Sequence, residues 1–335
     1  MLSKNFKKIL VTGGGGFIGS SYIYNLLSKF KDIQVLNIDK QTYAASQSTL
    51  DMFLNFKNYI FLQSDICDAS IISNTINEFK PDLIVHFAAE SHVDNSIENP
   101  NTFIETNIQG TVNLLNSVSK CTDLRDDFLF HHISTDEIYG DLDFMEDPFT
   151  ETSPIKPSSP YSASKASSDL MVEAWSRTFG INYLITNCSN NFGPRQHPEK
   201  LIPKTIFSLK NAERITLYGD GQNVRDWIFV EDHANILIKL QELGVRNQTF
   251  NIGGNNEISN YDLIHIIINT AKKMNIDILD DPIEYVADRL GHDRRYAINN
   301  KKLEQHLPHG YLSSFESSIE STISWYLENE NWWKK

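Results

Sequence analysis

The stretch KKILVTGGGGFIGS, residues 7–20, decides how this chain folds. An apolar, β-branched run, Ile9 to Val11, leads directly into a group of glycines. Gly13, Gly16 and Gly19 are evenly spaced before a segment with helical periodicity. Such glycines permit a tight turn and let a pyrophosphate approach the N–H groups at the start of a helix. The pattern predicts a strand, a phosphate-binding turn and a helix.

An acidic residue follows this turn at the distance typical of a dinucleotide site. Asp39 ends the next strand candidate, VLNIDK, about 20 residues after Gly19. A carboxylate there suits the adenosine ribose 2′-hydroxyl and disfavours the 2′-phosphate of NADP. Lys40, beside it, could partly offset that preference. We therefore expect the cofactor to be NAD.

Short apolar runs alternate with helix-like segments along the first part of the chain. The strand candidates are residues 9–11, 35–38, 60–62, 83–87, 128–133 and 183–186, and the helix candidates are 18–29, 100–119 and about 162–179. This alternation predicts an α/β fold, a Rossmann-type doubly wound parallel sheet. From about residue 191, proline and glycine steps break the regularity. We expect a cofactor domain at 1–190, rejoined by about 225–250, and a smaller, less regular substrate-binding domain, mainly 191–335.

Charge and cysteine content exclude several classes of protein. The 43 acidic and 30 basic residues give a net charge of −13, which disfavours binding to nucleic acid or anionic membranes. No apolar run approaches the roughly 18 residues of a membrane span, and the N-terminus lacks a signal-peptide pattern, so we expect a cytoplasmic protein. Cys67, Cys121 and Cys188 are scattered without C-x-x-C spacing. We expect free thiols, with neither a disulfide framework nor a metal site.

A tyrosine and a lysine stand four residues apart in the segment YSASK. Pro160 precedes Tyr161 and Lys165 and suits the first turn of a helix. Residues at i and i+4 share a helical face, so the ammonium is expected to lower the phenol pKa from its usual value of about 10. Alone, this spacing also fits an unremarkable exposed pair. Beside the glycine turn, it favours Tyr161 as a general base.

Two adjacent carboxylates occur in HHISTDEIYG, residues 131–140. A bare pair such as Asp136 and Glu137 is usually solvated in a turn or at a helix start. In a shared, desolvated site, two acids push their pKa values apart, so that one keeps its proton while the other ionises. Such a pair can act as an acid and a base. We expect the preceding His131 and His132 to pack and hydrogen-bond within the sheet rather than to react.

Together, TGGGGFIGS, NIDK, HFAAESHVDNSI, HHISTDEIYG and YSASK resemble the extended short-chain dehydrogenase/reductase family, and its nucleotide-sugar 4,6-dehydratases most. The similarity continues in the family's order through NCSNNFGPRQHPEKLIPKTI, YGDGQNVRDWIFVEDHANIL, NIGGNNE and DRLGHDRRYAI. The S-T-D-E tetrad separates these dehydratases from related epimerases. The resemblance implies that a nucleoside diphosphate glucose, dTDP-glucose first, is oxidised at C4 by NAD, loses water across C5 and C6, and regains the hydride at C6.

The resemblance also implies a site. Tyr161 is the base at the 4-hydroxyl and Thr135 hydrogen-bonds the same oxygen, while Glu137 is the C5 base and Asp136 the C6 acid; Lys165 completes the catalytic set. The implied cofactor residues are Gly13, Gly16, Phe17, Ile18, Gly19, Asp39, Lys40, Thr42, Asp65, Ile66, Phe87, Ala88, Ala89, Thr106, Tyr161, Lys165 and Asn191. The implied nucleotide-sugar residues are Ser91, Thr135, Asn190, Lys200, Leu201, Tyr218, Arg225, Asn251, Arg289 and His292.

The family further implies a homodimer, through helices around residues 100–119 and 162–179, and a role in rhamnose-type or other deoxysugar synthesis. Two alternatives stay open. A nucleotide-sugar 4-epimerase uses the same tyrosine, lysine and NAD, but has no need of the acid pair. A non-catalytic sensor of NAD or nucleotide sugar could share the fold, but would not require Tyr161 and Lys165. Arg195, where the family commonly has an aromatic residue, and His197 leave the nucleotide and sugar preference open.

Overall fold

The computed structural model describes residues 2, 6–288 and 293–332, and these form an α/β structure. The strands are β1 (Lys8–Thr12), β2 (Gln34–Asp39), β3 (Tyr59–Gln63), β4 (Leu83–His86), β5 (Leu129–Thr135), β6 (Tyr183–Cys188), β7 (Asn190–Phe192), β8 (Ile215–Tyr218), β9 (Val224–Phe229), β10 (Gln248–Ile252), β11 (Glu257–Ser259) and β12 (Ile283–Val286). The helices are α1 (Phe17–Lys29), α2 (Gln47–Phe53), α3 (Ala69–Phe79), α4 (Val93–Glu98), α5 (Pro100–Phe103), α6 (Thr111–Lys120), α7 (Pro160–Phe179), α8 (Leu201–Lys210), α9 (Val230–Glu242), α10 (Asn260–Lys273), α11 (Lys301–Glu304) and α12 (Phe315–Glu328).

A seven-stranded sheet forms the centre of the molecule. Its order is β10-β6-β5-β4-β1-β2-β3, and every neighbouring pair is parallel. The chain moves outward from β1 in one direction through β2 and β3, and in the other through β4, β5 and β6. A crevice therefore opens beyond the carboxyl ends of β1 and β4, where doubly wound sheets bind ligands. The predicted Rossmann-type fold is confirmed.

Apolar side chains leave both faces of the sheet because successive residues of a strand point in opposite directions. On β1, Ile9 and Val11 pack with Tyr22 of α1, whereas Leu10 packs with Leu36 and with α6 on the other face. Helices cover both faces, so the central strands are wholly buried, as expected for a parallel sheet. None of the helices in the described ranges is both long and apolar enough to cross a bilayer.

A second apolar cluster lies in the C-terminal part of the chain. Helices α8, α10 and α12 contribute to it, beside a three-stranded sheet, β11-β9-β7, and the parallel pair β12-β8. The intervening segment returns to the first cluster, since Leu237 of α9 and Phe250 of β10 pack there. The hydroxyl of Tyr22 donates to Gln241 of α9 at 2.8 Å. The predicted division near residue 190 falls at the start of β7, and the division itself stays a prediction.

One helix prediction differs from the structure. Residues 100–119 were expected to form a continuous helix, but a π-helical turn, Ile104–Gly110, separates α5 from α6. Within it, the Asn107 amide donates to the carbonyl of Glu90 at 3.0 Å and accepts the Glu90 N–H at 2.8 Å. Such widened turns are frequent at functional sites. This one fastens the helix to the segment after β4.

Candidate active site

A cleft of about 340 Å³ lies at the carboxyl end of the sheet. All of the residues predicted to bind the cofactor line it: Gly13, Gly16, Phe17, Ile18, Gly19, Asp39, Lys40, Thr42, Asp65, Ile66, Phe87, Ala88, Ala89, Thr106, Tyr161, Lys165 and Asn191. The predicted catalytic residues Thr135, Asp136 and Glu137 line the same cleft. Segments spread over most of the first 200 residues therefore meet in one place, because the parallel strands all end at this edge.

The glycine turn is packed too closely for side chains. Gly13 has φ +74°, and a Cβ there would lie 2.6 Å from the backbone nitrogen of Ala88. A Cβ on Gly19 would lie 2.5 Å from the carbonyl oxygen of Gly13. Gly16 precedes α1 and makes no side-chain cap, so the first N–H groups of that helix point towards the cleft without a competing carboxylate or hydroxyl cap. This geometry suits a bound pyrophosphate.

The acid after β2 is held against this turn. Asp39 is 8% exposed and accepts N–H hydrogen bonds from Gly15 at 2.8 Å and from Gln41 at 2.7 Å. Burial raises its pKa, and the two hydrogen bonds oppose that shift. Lys40 forms an ion pair with Asp65 at 2.6 Å. Because Asp65 balances the lysine charge, Lys40 is a weaker attraction for a 2′-phosphate than its position in the sequence suggests.

The predicted tyrosine and lysine lie in the first turns of α7. Ser159 caps this helix by accepting the N–H of Ser162 at 3.1 Å. Tyr161 is 9% and Lys165 4% exposed. The Thr135 hydroxyl lies close enough to the Tyr161 hydroxyl to lower the pKa of that phenol. The Lys165 ammonium donates to the carbonyl of Ile133 on β5 at 2.8 Å.

The expected lowering of the tyrosine pKa is wrong. Burial raises the pKa of Tyr161 well above its ordinary value, and the negative charge of Glu137 raises it further, against the hydrogen bond from Thr135. The reason is that loss of solvent penalises the phenolate, while the ammonium of Lys165 is directed to the Ile133 carbonyl. Tyr161 is therefore a neutral phenol in this arrangement.

The two acids occupy a 3₁₀ turn, Asp136–Tyr139, directly after β5. The side chain of Asp136 is almost fully buried, and its Oδ2 has no hydrogen-bond partner among the described residues. Burial raises the pKa of Asp136 well above its ordinary value, and the charges of Glu137 and Asp226 raise it further. Asp136 is thus favoured to keep its proton.

Glu137 has different electrostatic surroundings. Burial raises its pKa to about 7, and the positive charges of Arg225 and Lys200 limit that rise. Glu137 therefore ionises near neutral pH, whereas Asp136 stays protonated. The two pKa values diverge in the sense that an acid and base pair needs.

The structure divides the predicted nucleotide-sugar residues. Those at the cleft are Ser91, Thr135, Asn190 and Lys200. Leu201 begins α8 and Tyr218 ends β8, and neither lines the cleft. Arg289 and His292 lie outside the described residues.

Arg225 and Asn251 are engaged inside the protein. The Arg225 guanidinium donates to the carbonyls of Val224 at 2.8 Å and Asp293 at 2.9 Å, so its charge acts on Glu137 from behind the cleft wall. Asn251 is fully buried, and its Oδ1 accepts the hydroxyl of Tyr139 at 2.9 Å. Both side chains are therefore hydrogen-bonded to other parts of the protein.

Several cleft residues were not predicted, among them Glu90, Ser134, Cys188, Gln196, His197 and Glu199. Glu199 lies 3.6 Å from the Nδ1 of His197 and precedes the predicted Lys200. Glu199 could have been predicted as a site residue, because it stands beside Lys200 in the loop that leads into α8. Ser134 opens the S-T-D-E tetrad, and that position was an available signal. The buried Cys188 carried no local signal, because it ends a strand whose partner could not be read from the sequence.

The histidines of β5 are internal. His131 lies 3.2 Å from the Thr186 hydroxyl and 2.8 Å from the Gln241 amide nitrogen, and the expectation of hydrogen bonding within the fold is confirmed for it. His132 contacts the Ser168 hydroxyl at 3.1 Å. In the described ranges, no cluster of three or more His, Cys, Asp or Glu side chains has the arrangement of a metal site.

Comparison with known proteins agrees with this geometry. The family model described as GDP-mannose 4,6 dehydratase matches residues 10–322. The dTDP-glucose 4,6-dehydratase of Neisseria meningitidis is 45% identical, over 98% of this chain and 95% of that protein. The corresponding protein of Salmonella typhimurium is 46% identical, over 97% and 94%.

Solved structures give the same relationship. DesIV, a dTDP-glucose 4,6-dehydratase of Streptomyces venezuelae solved with NAD and TYD bound, has a TM-score of 0.89 and 39% identity over 98% of this chain and 99% of that one. A UDP-glucose 4-epimerase of Thermotoga maritima, solved with UDP-glucose, has a TM-score of 0.85 and 25% identity over 96% and 99%. The chain therefore belongs to the nucleotide-sugar 4,6-dehydratase family, alongside the dTDP-glucose 4,6-dehydratases.

Proposed function

We propose that this protein is an NAD-dependent hydro-lyase that converts dTDP-glucose to its 4-keto-6-deoxy product. The observation that carries the proposal is the pair Asp136 and Glu137, which shares one cleft with Tyr161 and the glycine turn. Oxidation at C4 alone, as in an epimerase, leaves such a pair without a task. Relatives 45% identical over nearly the whole chain are dTDP-glucose 4,6-dehydratases, which supports the same substrate.

The residues of the cleft fit NAD. The backbone at Gly13 can be approached closely, Gly16 leaves the start of α1 without a side-chain cap, and Asp39 offers a buried carboxylate for a ribose hydroxyl. When bound, NAD supplies the hydride acceptor at C4 and the hydride donor at C6.

We assign removal of the proton on the 4-hydroxyl oxygen to Tyr161, with Thr135 hydrogen-bonding the same oxygen, while the hydrogen on C4 leaves as the hydride. Both side chains line the same cleft, and the Thr135 hydroxyl is close enough to that of Tyr161 to lower its pKa, so both can reach one hydroxyl oxygen of a sugar. Because burial keeps Tyr161 as a phenol, its proton must leave before it can act as a base. Lys165, on the same face of α7, is the cation whose approach would favour the phenolate.

The acids divide the elimination. Glu137, ionised above about pH 7, takes the proton from C5. The protonated Asp136 donates to the C6 hydroxyl as the C6–O bond breaks, and a C5–C6 double bond forms as water leaves. After hydride reaches C6, the proton on Glu137 returns to C5, and Asp136 regains a proton from solvent.

We assign substrate binding to three other residues of the cleft. Lys200 is the cation at the cleft for the diphosphate, because an ammonium binds phosphate as a point charge. Ser91 and Asn190 supply hydrogen-bonding groups beside it. The positive charge of Arg225 limits the rise in the pKa of Glu137. The remaining positions stay predictions: Leu201, Tyr218, Asn251, Arg289 and His292.

One assay tests the proposal. The protein is incubated separately with dTDP-glucose, UDP-glucose and CDP-glucose, and the products are analysed by mass spectrometry and NMR. We expect loss of water and a 4-keto-6-deoxy sugar from dTDP-glucose. No loss of water from any of the three would refute the dehydratase assignment. Inversion at C4 would favour an epimerase, and binding without turnover would favour a sensor.

We further propose that the protein is a homodimer, joined through α5, α6 and α7. Ile104 and Leu170, near these helices, are 52% exposed each, and Phe179 at the end of α7 is 55% exposed. Light scattering coupled to size-exclusion chromatography tests the dimer.

Free thiols at Cys67, Cys121 and Cys188 support a reducing, cytoplasmic location. We also propose two domains, 1–190 with about 225–250, and the rest of 191–335.

A further inference from the structure

A buried polar cluster lies behind Lys165, where the proposed reaction makes no use of it. His132 and Ser134 are two residues apart on β5 and therefore point to the same face of the sheet. Lys165, Ser168 and Asp169 are three and four residues apart and share one face of α7. The two faces meet, and each of these five residues is at most 5% exposed.

Three contacts join side chains of β5 to side chains of α7. The Ser134 hydroxyl donates to Asp169 Oδ2 at 2.8 Å. Asp169 Oδ1 lies 3.2 Å from the Nε2 of His132, and the Lys165 ammonium lies 3.5 Å from that same nitrogen. Asp169 is thus hydrogen-bonded to the end of β5 that carries the acids, while its Oδ1 has no hydrogen-bond partner among the described residues and lies close to His132, the residue that Lys165 also approaches.

A charge in this interior needs a compensating charge. Burial lowers the pKa of Lys165, and the Asp169 carboxylate and then Cys188 oppose that shift. Burial raises the pKa of the Cys188 thiol to about 12, so it is uncharged at neutral pH. Burial also raises the pKa of Asp169, to about 7, with the charge of Lys165 opposing it. Above that pH, Asp169 is the anion opposite Lys165.

The other titratable groups around the cluster do not supply this anion. Burial lowers the pKa of His86 and of His132 well below the ordinary value, so both are neutral. Burial raises the pKa of Tyr139, which is therefore a phenol. Glu173, one turn further along α7, is exposed to solvent.

We propose that Asp169 is a positioning residue that keeps Lys165 charged as an ammonium in the dry interior and fastens α7 to the catalytic end of β5. The proposal rests on the proposed function only where it places Lys165 beside the reacting tyrosine. It explains why a carboxylate, Asp169, lies one helical turn after Lys165 on α7. It also links the Tyr161–Lys165 pair mechanically to the segment Ser134–Glu137.

The first test is a pH profile of kcat/KM for Asp169→Asn, a change that keeps the shape and removes the charge. We expect the alkaline limb, which follows loss of the Lys165 proton, to move down by about one pH unit or more. Glu173→Gln is the matched control, because it also replaces a carboxylate by an amide, one turn further along the same helix. Partial burial raises the pKa of Glu173 and the charge of Asp169 raises it further, so the two carboxylates interact, and we expect the alkaline limb to move much less than in Asp169→Asn. An Asp169→Asn profile with an unmoved alkaline limb would overturn the proposal, even if its rate were lower at every pH.

The second test needs neither turnover nor the Asp169 variant. In protein with ¹³Cε-labelled lysine, the Lys165 signal is assigned by its loss in Lys165→Met and followed from pH 5 to 10. The titration is carried out in Glu137→Gln, because Glu137 also ionises near pH 7, and we expect a step near pH 7 as Asp169 ionises. Ser134→Ala removes a donor to the carboxylate and should move that step to higher pH, while Glu173→Gln removes a neighbouring negative charge and should move it only slightly, to lower pH. A Lys165 signal without this step refutes the proposal whether or not the protein dehydrates dTDP-glucose.

Discussion

The hydroxyl of Thr135 accepts the backbone N–H of Glu137 at 3.3 Å, so the last residue of β5 also caps the turn that carries both acids. The same hydroxyl donates to Asp136 Oδ1 at 3.4 Å and lies close enough to the Tyr161 hydroxyl to lower its pKa. One side chain therefore sets the geometry of three proposed catalytic groups.

Replacing this hydroxyl tests that relationship. Thr135→Val keeps the branched shape but removes the cap and the contact with Tyr161, so we expect kcat to fall about 100-fold. Thr135→Ser keeps the hydroxyl and should stay within about tenfold of the unmodified protein, because χ1 freedom alone increases. Steady-state kinetics with dTDP-glucose measure both. Equal losses in the two variants would show that packing of the methyl group, and not the hydroxyl, matters.

The two acids should fail at different steps. Glu137→Gln removes the C5 base, and exchange of the C5 proton with solvent deuterium should fall at least about 100-fold. Asp136→Asn should retain that exchange and instead lose elimination of the C6 hydroxyl. Single-turnover reactions in D₂O, analysed by NMR and mass spectrometry, separate these outcomes. C5 exchange that survives in Glu137→Gln would reverse the assignment of the base.

The pH dependence follows from the raised pKa of Glu137. The base is ionised above about pH 7, so kcat/KM should fall as pH drops below that value. The folded protein binds this proton more tightly than the unfolded chain, whose glutamate titrates near 4.5. Ionisation of Glu137 therefore destabilises the fold increasingly as pH rises from about 4.5 through about 7, by about 1.4 kcal/mol for each unit of difference.

The corresponding stability measurement uses Glu137→Gln. The variant lacks the carboxylate penalty, so its Tm should exceed that of the unmodified protein at pH 8, and the advantage should shrink at pH 4. Thermal unfolding at both pH values, with Glu173→Gln beside it as a surface control, measures the difference. A constant difference in Tm across this range would contradict the ionisation argument.

A comparison of alanine substitutions at two glycines with positive φ distinguishes the effect of backbone strain from the effect of close packing. Gly13 and Gly180 have φ values of +74° and +72°, but only Gly13 has backbone atoms within 3 Å of an added Cβ. Gly180→Ala should cost about 1 kcal/mol through the left-handed conformation and leave NAD affinity unchanged. Gly13→Ala should cost more, and should weaken NAD binding at least about tenfold. Denaturant unfolding and calorimetric titration with NAD measure the two effects, and similar results for both variants would contradict the close approach.

The parts of the site that the sequence predicted are those in which the chemistry is local. The glycine turn, Asp39 and the pair Tyr161 and Lys165 each lie within one short pattern, and the fold brings them into one cleft. The pKa of Tyr161 was not predictable in this way, because it depends on burial by segments far apart in the chain. The hydrogen bond of Asn251 was not predictable for a similar reason, since its partner Tyr139 lies on a distant segment, and its role in substrate binding stays a prediction.

The predicted fold was limited by the same distinction. Periodicity marked the helical region around residues 100–119, but could not show the widened turn at Ile104–Gly110, because that turn is stabilised by Asn107 reaching the segment after β4. The parallel sheet followed from the alternation of strands and helices, whereas the order of its strands is known only from the structure. The return of β10 to its edge was predicted only as a range of residues, about 225–250.

That return constrains the order in which the molecule can be built during synthesis. Strand β10 pairs with β6, and α9 covers α1 through Tyr22 and Gln241. A nascent chain that ends near residue 190 would therefore expose the edge of β6 and an apolar side of α1. The part of the protein that holds the dinucleotide turn can complete its core only after residue 303 has left the ribosome, because Leu303 of α11 belongs to the same cluster, although the turn itself lies far earlier in the chain.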